Sequence, residues 1–122
     1  MRSAEFLFRV PLMSKARPRF TRKTGRAYMP EAYVNWKANL RGLMGEWWTS
    51  PPLTHINVIV FTFNGPARGD LDNLTGAVLD SGNGLIWVDD KVTVIGSMAQ
   101  RWKKAKPADS SIYMKMIWED RT

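Results

Sequence analysis

Five of the eleven acidic residues in this chain of 122 residues, Asp70, Asp72, Asp80, Asp89 and Asp90, fall in one stretch with no Lys or Arg between Arg68 and Lys91. Carboxylates gathered without a counter-cation repel one another, and a divalent metal is the natural charge to place among them. Asp70 and Asp72 form an Asp-x-Asp pair whose side chains emerge on the same side if the backbone is locally extended, and Asp89-Asp90 is expected at the end of a separate strand. An oxygen-only donor set of this kind suits magnesium or manganese with open positions for phosphate oxygens. Its chemistry would be phosphodiester hydrolysis, in which the metal activates water, stabilises the phosphorus under attack and supports the leaving 3′ oxygen. The same residues allow a plainer role, because Asp side chains often cap turns and helix starts. A calcium EF-hand is excluded. In a register starting at Asp70, Leu74 falls where an oxygen ligand belongs, the glycine comes one place late at Gly76, and Ser81 replaces the closing glutamate.

The rest of the composition narrows the chemistry. No cysteine is present, which removes disulfides, thiolate-ligated zinc, iron–sulfur clusters and cysteine nucleophiles. The single histidine, His55, follows Pro51-Pro52-Leu53-Thr54 and opens an apolar run, so it reads as an ordinary strand-edge residue, and histidine-based relays are disfavoured. Eighteen Lys and Arg against eleven Asp and Glu give a net charge of +7, which favours a polyanionic partner. The positive charge is clustered: Lys15, Arg17, Arg19, Arg22, Lys23 and Arg26 lie within twelve residues free of acid, and Arg101, Lys103, Lys104 and Lys106 form a second group. Both suit phosphate backbones, although basic runs are often only solvated loops. No apolar run approaches the roughly 20 residues of a membrane span. Glu5 and Arg9 interrupt any signal-peptide core, so the cytoplasm is the expected address, and no organic cofactor or membrane partner is expected.

These side chains must be positioned by one domain, residues 1–122, since single domains cluster near about 100 to 150 residues. Residues 5 to 10 alternate as a first strand ended by Pro11, and the basic stretch 14 to 29 reads as a long loop. Pro30-Glu31 starts an amphipathic helix of about 18 residues carrying Tyr33, Trp36, Leu40, Leu43, Met44 and Trp47. Ile56 to Phe63 reads as a buried central strand, and Asp72 caps a short helix from Asn73 to about Leu79. A Ser81-Gly82-Asn83-Gly84 turn leads to strands at Leu85 to Val88, Val92 to Ala99 and Ile112 to Trp118, with the basic 101–106 segment as a connection. The order β-α-β-α-β-β-β predicts an α+β domain with a mixed β-sheet of about five strands and two helices packed largely on one face.

The segment Gly69-Asp70-Leu71-Asp72-Asn73-Leu74, followed by Asp80, the Asn83-Gly84 turn and Ile86-Trp87-Val88-Asp89-Asp90-Lys91-Val92, resembles the RusA family of Holliday-junction resolvases. The entry segment Lys15-Ala16-Arg17-Pro18-Arg19-Phe20, with Tyr28-Met29-Pro30 and Tyr33 after it, is similar to that family's entry segment, and the resemblance spans roughly residues 5 to 118. It implies a small homodimeric, magnesium-dependent endonuclease of DNA recombination and repair, often encoded by phages, that nicks four-way junctions symmetrically. Manganese is a possible substitute for magnesium. The resemblance assigns metal binding and catalysis to Asp70, Asp72 and Asp90, while the basic entry loop with Lys15, Arg17, Arg19, Arg22 and Lys23 grips phosphates. Asp120, near the C-terminus, is expected to stand apart from the site.

One position departs from the pattern. The family usually carries a lysine two residues beyond the LDNL segment, and Gly76 occupies that place here. A lysine one helical turn beyond Asp72 could stabilise charge on a bound phosphate. Its loss allows three outcomes: another cation such as Lys15, Lys91 or an arginine substitutes, cleavage is slow, or binding persists without cleavage. Restoring the charge with Gly76→Lys is expected from sequence to speed cleavage by about 10-fold or more.

Overall fold

The computed structural model describes residues 1–119, and Asp120 lies outside the described residues. Strand β1 (Arg2–Phe8) leads through a short hairpin, β2 (Arg19–Phe20) and β3 (Ala27–Tyr28), to helix α1 (Glu31–Trp47). Then come β4 (Val58–Gly65), α2 (Leu71–Gly82), β5 (Met98–Lys104), a 3-10 turn at Pro107–Asp109 and β6 (Ser111–Trp118). The main sheet has four strands in the order β1-β6-β4-β5. β6 runs antiparallel to both neighbours, whereas β4 and β5 are parallel and joined across α2. This is the expected mixed sheet of an α+β domain, with four strands in place of about five.

Alternation in the strands builds one dry face. In register, Phe8, Ile112 and Phe63 form one row across β1, β6 and β4, and Phe6, Met114 and Phe61 form the next. The buried stripes of α1 (Tyr33, Trp36, Leu40, Met44) and α2 (Leu74, Ala77, Val78, Leu79) join this same core. Residues of the intervening strand positions face the other way, where the Tyr113 hydroxyl donates to Glu5 Oε2 at 2.6 Å across adjacent strands. The two helices are clamped to each other by charge. Arg41 of α1 donates from Nη1 to the carbonyls of Ser81 and Asn83, each at 2.8 Å, satisfying orphan carbonyls at the C-terminal end of α2.

Four sequence expectations are corrected. The first strand begins at Arg2 and ends at Phe8, because its pairing with β6 runs from Arg2 opposite Trp118 to Phe8 opposite Ile112. The stretch 14–29 contains the β2–β3 hairpin, closed by Thr21 N donating to Arg26 O at 3.0 Å. Residues 85–88 and 92–95 form turns with isolated bridges instead of two strands. Their apolar side chains, Ile86, Trp87, Val94 and Ile95, plug the core one at a time, and short apolar runs do not distinguish a plug from a paired strand. The strand expected at 92–99 falls at Met98–Lys104, so Arg101, Lys103 and Lys104 of the second basic group lie on an edge strand, and Lys106 alone of that group is on the connection.

Trp87 anchors the loop that follows α2. Its Nε1 donates to Leu79 O at 3.1 Å and to Asn83 Oδ1 at 2.9 Å, and its ring lies so close over Gly82 that a methyl group there would overlap it. Gly82→Ala is therefore expected to destabilise the protein by about 2 kcal/mol, the ordinary cost of overpacking a core. A urea titration checks this: the midpoint should fall while the slope is unchanged.

Candidate active site

Strand β4 ends at Gly65, and Pro66 helps turn the chain out of the sheet toward α2. Gly69 adopts φ +68°, a conformation that costs glycine little, and Ser14 closes against the space a side chain would take. The backbone then becomes extended at Asp70, which occupies the N-cap of α2 and accepts from Leu74 N at 3.0 Å through its carbonyl. The Asp70 side chain makes no capping hydrogen bond, so the helix does not consume it. Asp72 lies in the first helical turn, and its Oδ1 accepts from Gln100 Nε2 on β5 at 3.3 Å. The expected helix start at Asn73 under an Asp72 cap is thus corrected: the cap is Asp70, and the Asp-x-Asp pair straddles the helix start. Both carboxylates are exposed, and the positive end of the helix dipole favours negative charge there.

Asp90 sits on the loop after α2. Its backbone N–H donates to Asp89 Oδ1 at 2.8 Å, and Lys91 Nζ pairs with Asp89 Oδ2 at 3.5 Å. The Asp90 N–H first, and then the Lys91 charge, hold the Asp89 carboxyl below the ordinary value. Asp89 is therefore engaged locally. Asp70 and Asp72 suit a hard divalent cation by donor chemistry. Among the described residues, however, no three acidic or imidazole side chains stand together as a metal-holding group. The structure brings Asp70 and Asp72 to one helix end and does not gather Asp90 with them as a three-carboxylate site.

Asp72, Gly76 and Asp80 follow one another at single-turn intervals on one face of α2. Asp80 looks toward α1, accepting from the Tyr33 hydroxyl at 2.8 Å and pairing with Lys37 Nζ at 3.3 Å. Burial opposes its ionised form, but the Tyr33 and Lys37 hydrogen bonds, with the charges of Lys37 and Lys15, hold its carboxyl below the usual range. Tyr33 shifts the opposite way, since burial and the Asp80 carboxylate both disfavour the phenolate.

The entry segment lies along this helix. Lys15 N donates to Asn73 O at 2.9 Å, and the Lys15 side chain crosses Gly76, with Cδ 3.2 Å and Cβ 3.5 Å from where a Cβ at residue 76 would be. The side chain missing at position 76 is thus replaced in space by a lysine from another part of the chain. Of the candidate replacement cations, Lys15 is the one seated there, whereas Lys91 pairs with Asp89.

Beyond Lys15 the chain carries Arg17 and Arg19 into the hairpin, whose tip holds Arg22, Lys23 and Arg26, all exposed. Phe20 and Tyr28 are also exposed, so this arm presents basic and aromatic groups together. Arg101, Lys103 and Lys104 lie on β5, the strand whose Gln100 reaches Asp72, with Arg101 Nε donating to Thr62 Oγ1 at 3.0 Å. Gln100 escaped sequence reasoning because neutral amides carry no charge pattern. The faint signal was its place just ahead of the basic 101–106 group.

A family model for the endodeoxyribonuclease RusA matches residues 10–112. No curated protein matches the chain. The match takes in the entry segment, the α2 aspartates, the loop bearing Asp90 and basic strand β5, and with it the chain belongs to the RusA endodeoxyribonuclease family.

Proposed function

We propose that this protein is a divalent-metal-dependent endonuclease that recognises branched DNA and resolves four-way junctions by paired nicks, two copies acting together in a bacterial or phage-infected cytoplasm. The observation that carries the proposal is the placing of Asp70 and Asp72 at one helix end, which both the basic entry segment and basic strand β5 contact. Asp70, Asp72 and Asp90 would hold magnesium or manganese, Asp90 being delivered by the loop that Trp87 anchors. When bound, that ion supplies positive charge to the phosphorane-like transition state and makes water more acidic. Lys15, Arg17, Arg19, Arg22 and Lys23 bind the DNA backbone and orient the strand, and Lys15 also adds a cation beside the phosphate from its seat on Gly76. Two-fold symmetry matches the product, since equal nicks in opposed strands leave two ligatable duplexes.

A synthetic four-way junction tests this against a linear duplex, with magnesium or manganese and with chelator. Symmetric nicks in the junction alone, abolished by chelator, are expected. Tight junction binding without nicks in either metal would instead make the protein a binding module, an outcome favoured by the ungathered third carboxylate.

Backbone gripping has its own signature. Removing one phosphate-binding cation should reduce the slope of log K against log salt by about one unit, and should weaken binding to all sequences alike. The double variant Arg17→Ala, Arg19→Ala is expected to lower the slope by about two units. An unaltered slope would remove this pair from the DNA interface.

A further inference from the structure

The rows of the buried sheet face continue onto edge strand β5, where Phe63 pairs with Trp102 and Phe61 with Gln100. Trp102 remains 39% exposed, whereas Phe61 and Phe63 on the neighbouring strand are buried. A groove of about 400 Å³ opens here between β5 and the first turn of α2. Leu71 and Leu74 supply its apolar wall, Arg68 its charge, and Gln100 and Trp102 its side along the strand, while the Arg101 guanidinium turns to Thr62 on the other face of the sheet. That volume is within the range of small-ligand sites.

Trp102 is held in place. Its Nε1 donates to Gly65 O at 3.1 Å, so the indole offers the groove a ring with no donor left to satisfy. Gln100 joins the groove to the candidate metal pair, because it is the residue that hydrogen-bonds Asp72. An oriented indole, an apolar wall and the Arg68 side chain form a surface on which a base can stack while its phosphate meets positive charge.

We infer that this groove seats one unpaired nucleobase of the DNA strand whose phosphate lies at Asp70 and Asp72, stacked on Trp102. The inference goes beyond cleavage itself and rests on the proposed function only for which strand is held. The charge on the groove decides for a nucleotide over an apolar peptide: among the described residues no acidic side chain lines it, and Arg68 does. A base within a duplex is already stacked, so placing it here costs its pairing and stacking, whereas a base at a branch costs less. The groove thereby discriminates for branched DNA without reading sequence.

The test measures binding in chelator, where no strand is cut, using junctions carrying 2-aminopurine at successive positions near the branch. The probe reports from the DNA because six tryptophans would blur intrinsic fluorescence. Wild-type protein should quench one position, Trp102→Phe should retain the quenching, and Trp102→Leu should lose it. An abasic site at that position should weaken wild-type binding by about 10-fold and leave Trp102→Leu binding unchanged, a non-additivity that a purely structural tryptophan would not produce. Equal quenching by Trp102→Leu overturns the inference. So does unchanged wild-type affinity across the whole abasic series, a measurement that needs no variant to fold. If light scattering instead shows that Trp102→Leu dissociates an oligomer, the groove is covered by a second copy and the inference fails. Failure to nick DNA would count against the nuclease proposal and leave the stacking signal standing, whereas nicking without that signal would count only against the groove.

Discussion

Asp70→Asn and Asp72→Asn are each expected to lower the single-turnover cleavage rate by about 10³-fold or more, while junction binding in chelator stays the same or tightens. Asparagine keeps the shape and gives up the charge. A variant that has lost a ligand holds the cation poorly, so the transition-state charge it offset goes unmet. The same substitution removes one negative charge facing the phosphates, so the ground state gains. Asp70 is not consumed as a capping side chain, and Asp72 is hydrogen-bonded to Gln100 by one long bond of 3.3 Å, so neither substitution should cost much stability. Asp90→Asn should behave in the same way if the loop brings Asp90 to the pair in the loaded enzyme. Asp89→Asn is the matched control, because its carboxylate is engaged by the Asp90 N–H and Lys91. Full activity in Asp90→Asn would show that this loop contributes no ligand, and full activity in either α2 variant would remove that residue from the site.

The second large effect concerns Lys15. Lys15→Ala is expected to slow cleavage by about 10²-fold, the cost of losing one well-placed charge beside the reacting phosphate. Gly76→Lys alone, which sequence reasoning expects to accelerate the reaction, is now expected to bring no gain. A Cβ at residue 76 would stand 3.2 Å from Lys15 Cδ, closer than such contacts ordinarily come, so the new lysine displaces the old one and leaves the number of cations unchanged. The combination Lys15→Ala, Gly76→Lys should recover most of the lost rate, because the charge returns to the same helix face by a different route. It should also gain up to about 1 kcal/mol of helix propensity over glycine. Single-turnover rates of the three variants check the scheme. If Lys15→Ala cleaves at the wild-type rate, or the double variant shows no recovery, the cation beside the phosphate comes from elsewhere.

Several features follow from local spacing and are legible in the sequence alone. Helix α1 runs from Glu31 to Trp47, as the Pro30 start and the Tyr33, Trp36, Leu40, Met44 stripe require, because a sustained 3.6-residue period has few other solutions. β6 follows the alternation of Ile112, Met114, Met116 and Trp118 for the equivalent reason at period two. The Asp-x-Asp pair, the basic entry segment and their family resemblance were readable because residue type and order carry them, and the family match bears out that resemblance.

Other features were decided only when distant segments met. The runs at 85–88 and 92–95 have strand-like composition, yet they pair only through isolated bridges and send Ile86, Trp87, Val94 and Ile95 into the core, and composition cannot say whether a backbone neighbour exists to pair with. Gly76 read alone is a missing charge. In the folded chain it is the seat that lets Lys15 cross the helix, a relation between residues far apart in sequence that depends on the entry segment docking against α2. The Gln100 bond to Asp72 and the open ring of Trp102 likewise depend on β5 pairing in parallel with β4, which sets the basic strand beside the acidic helix start. The amino-acid order determined which chemistry was possible, because charge, period and turn propensity act between near neighbours. The tertiary structure decided which groups share the site, because that depends on how the two helices and the four-stranded main sheet pack around one core.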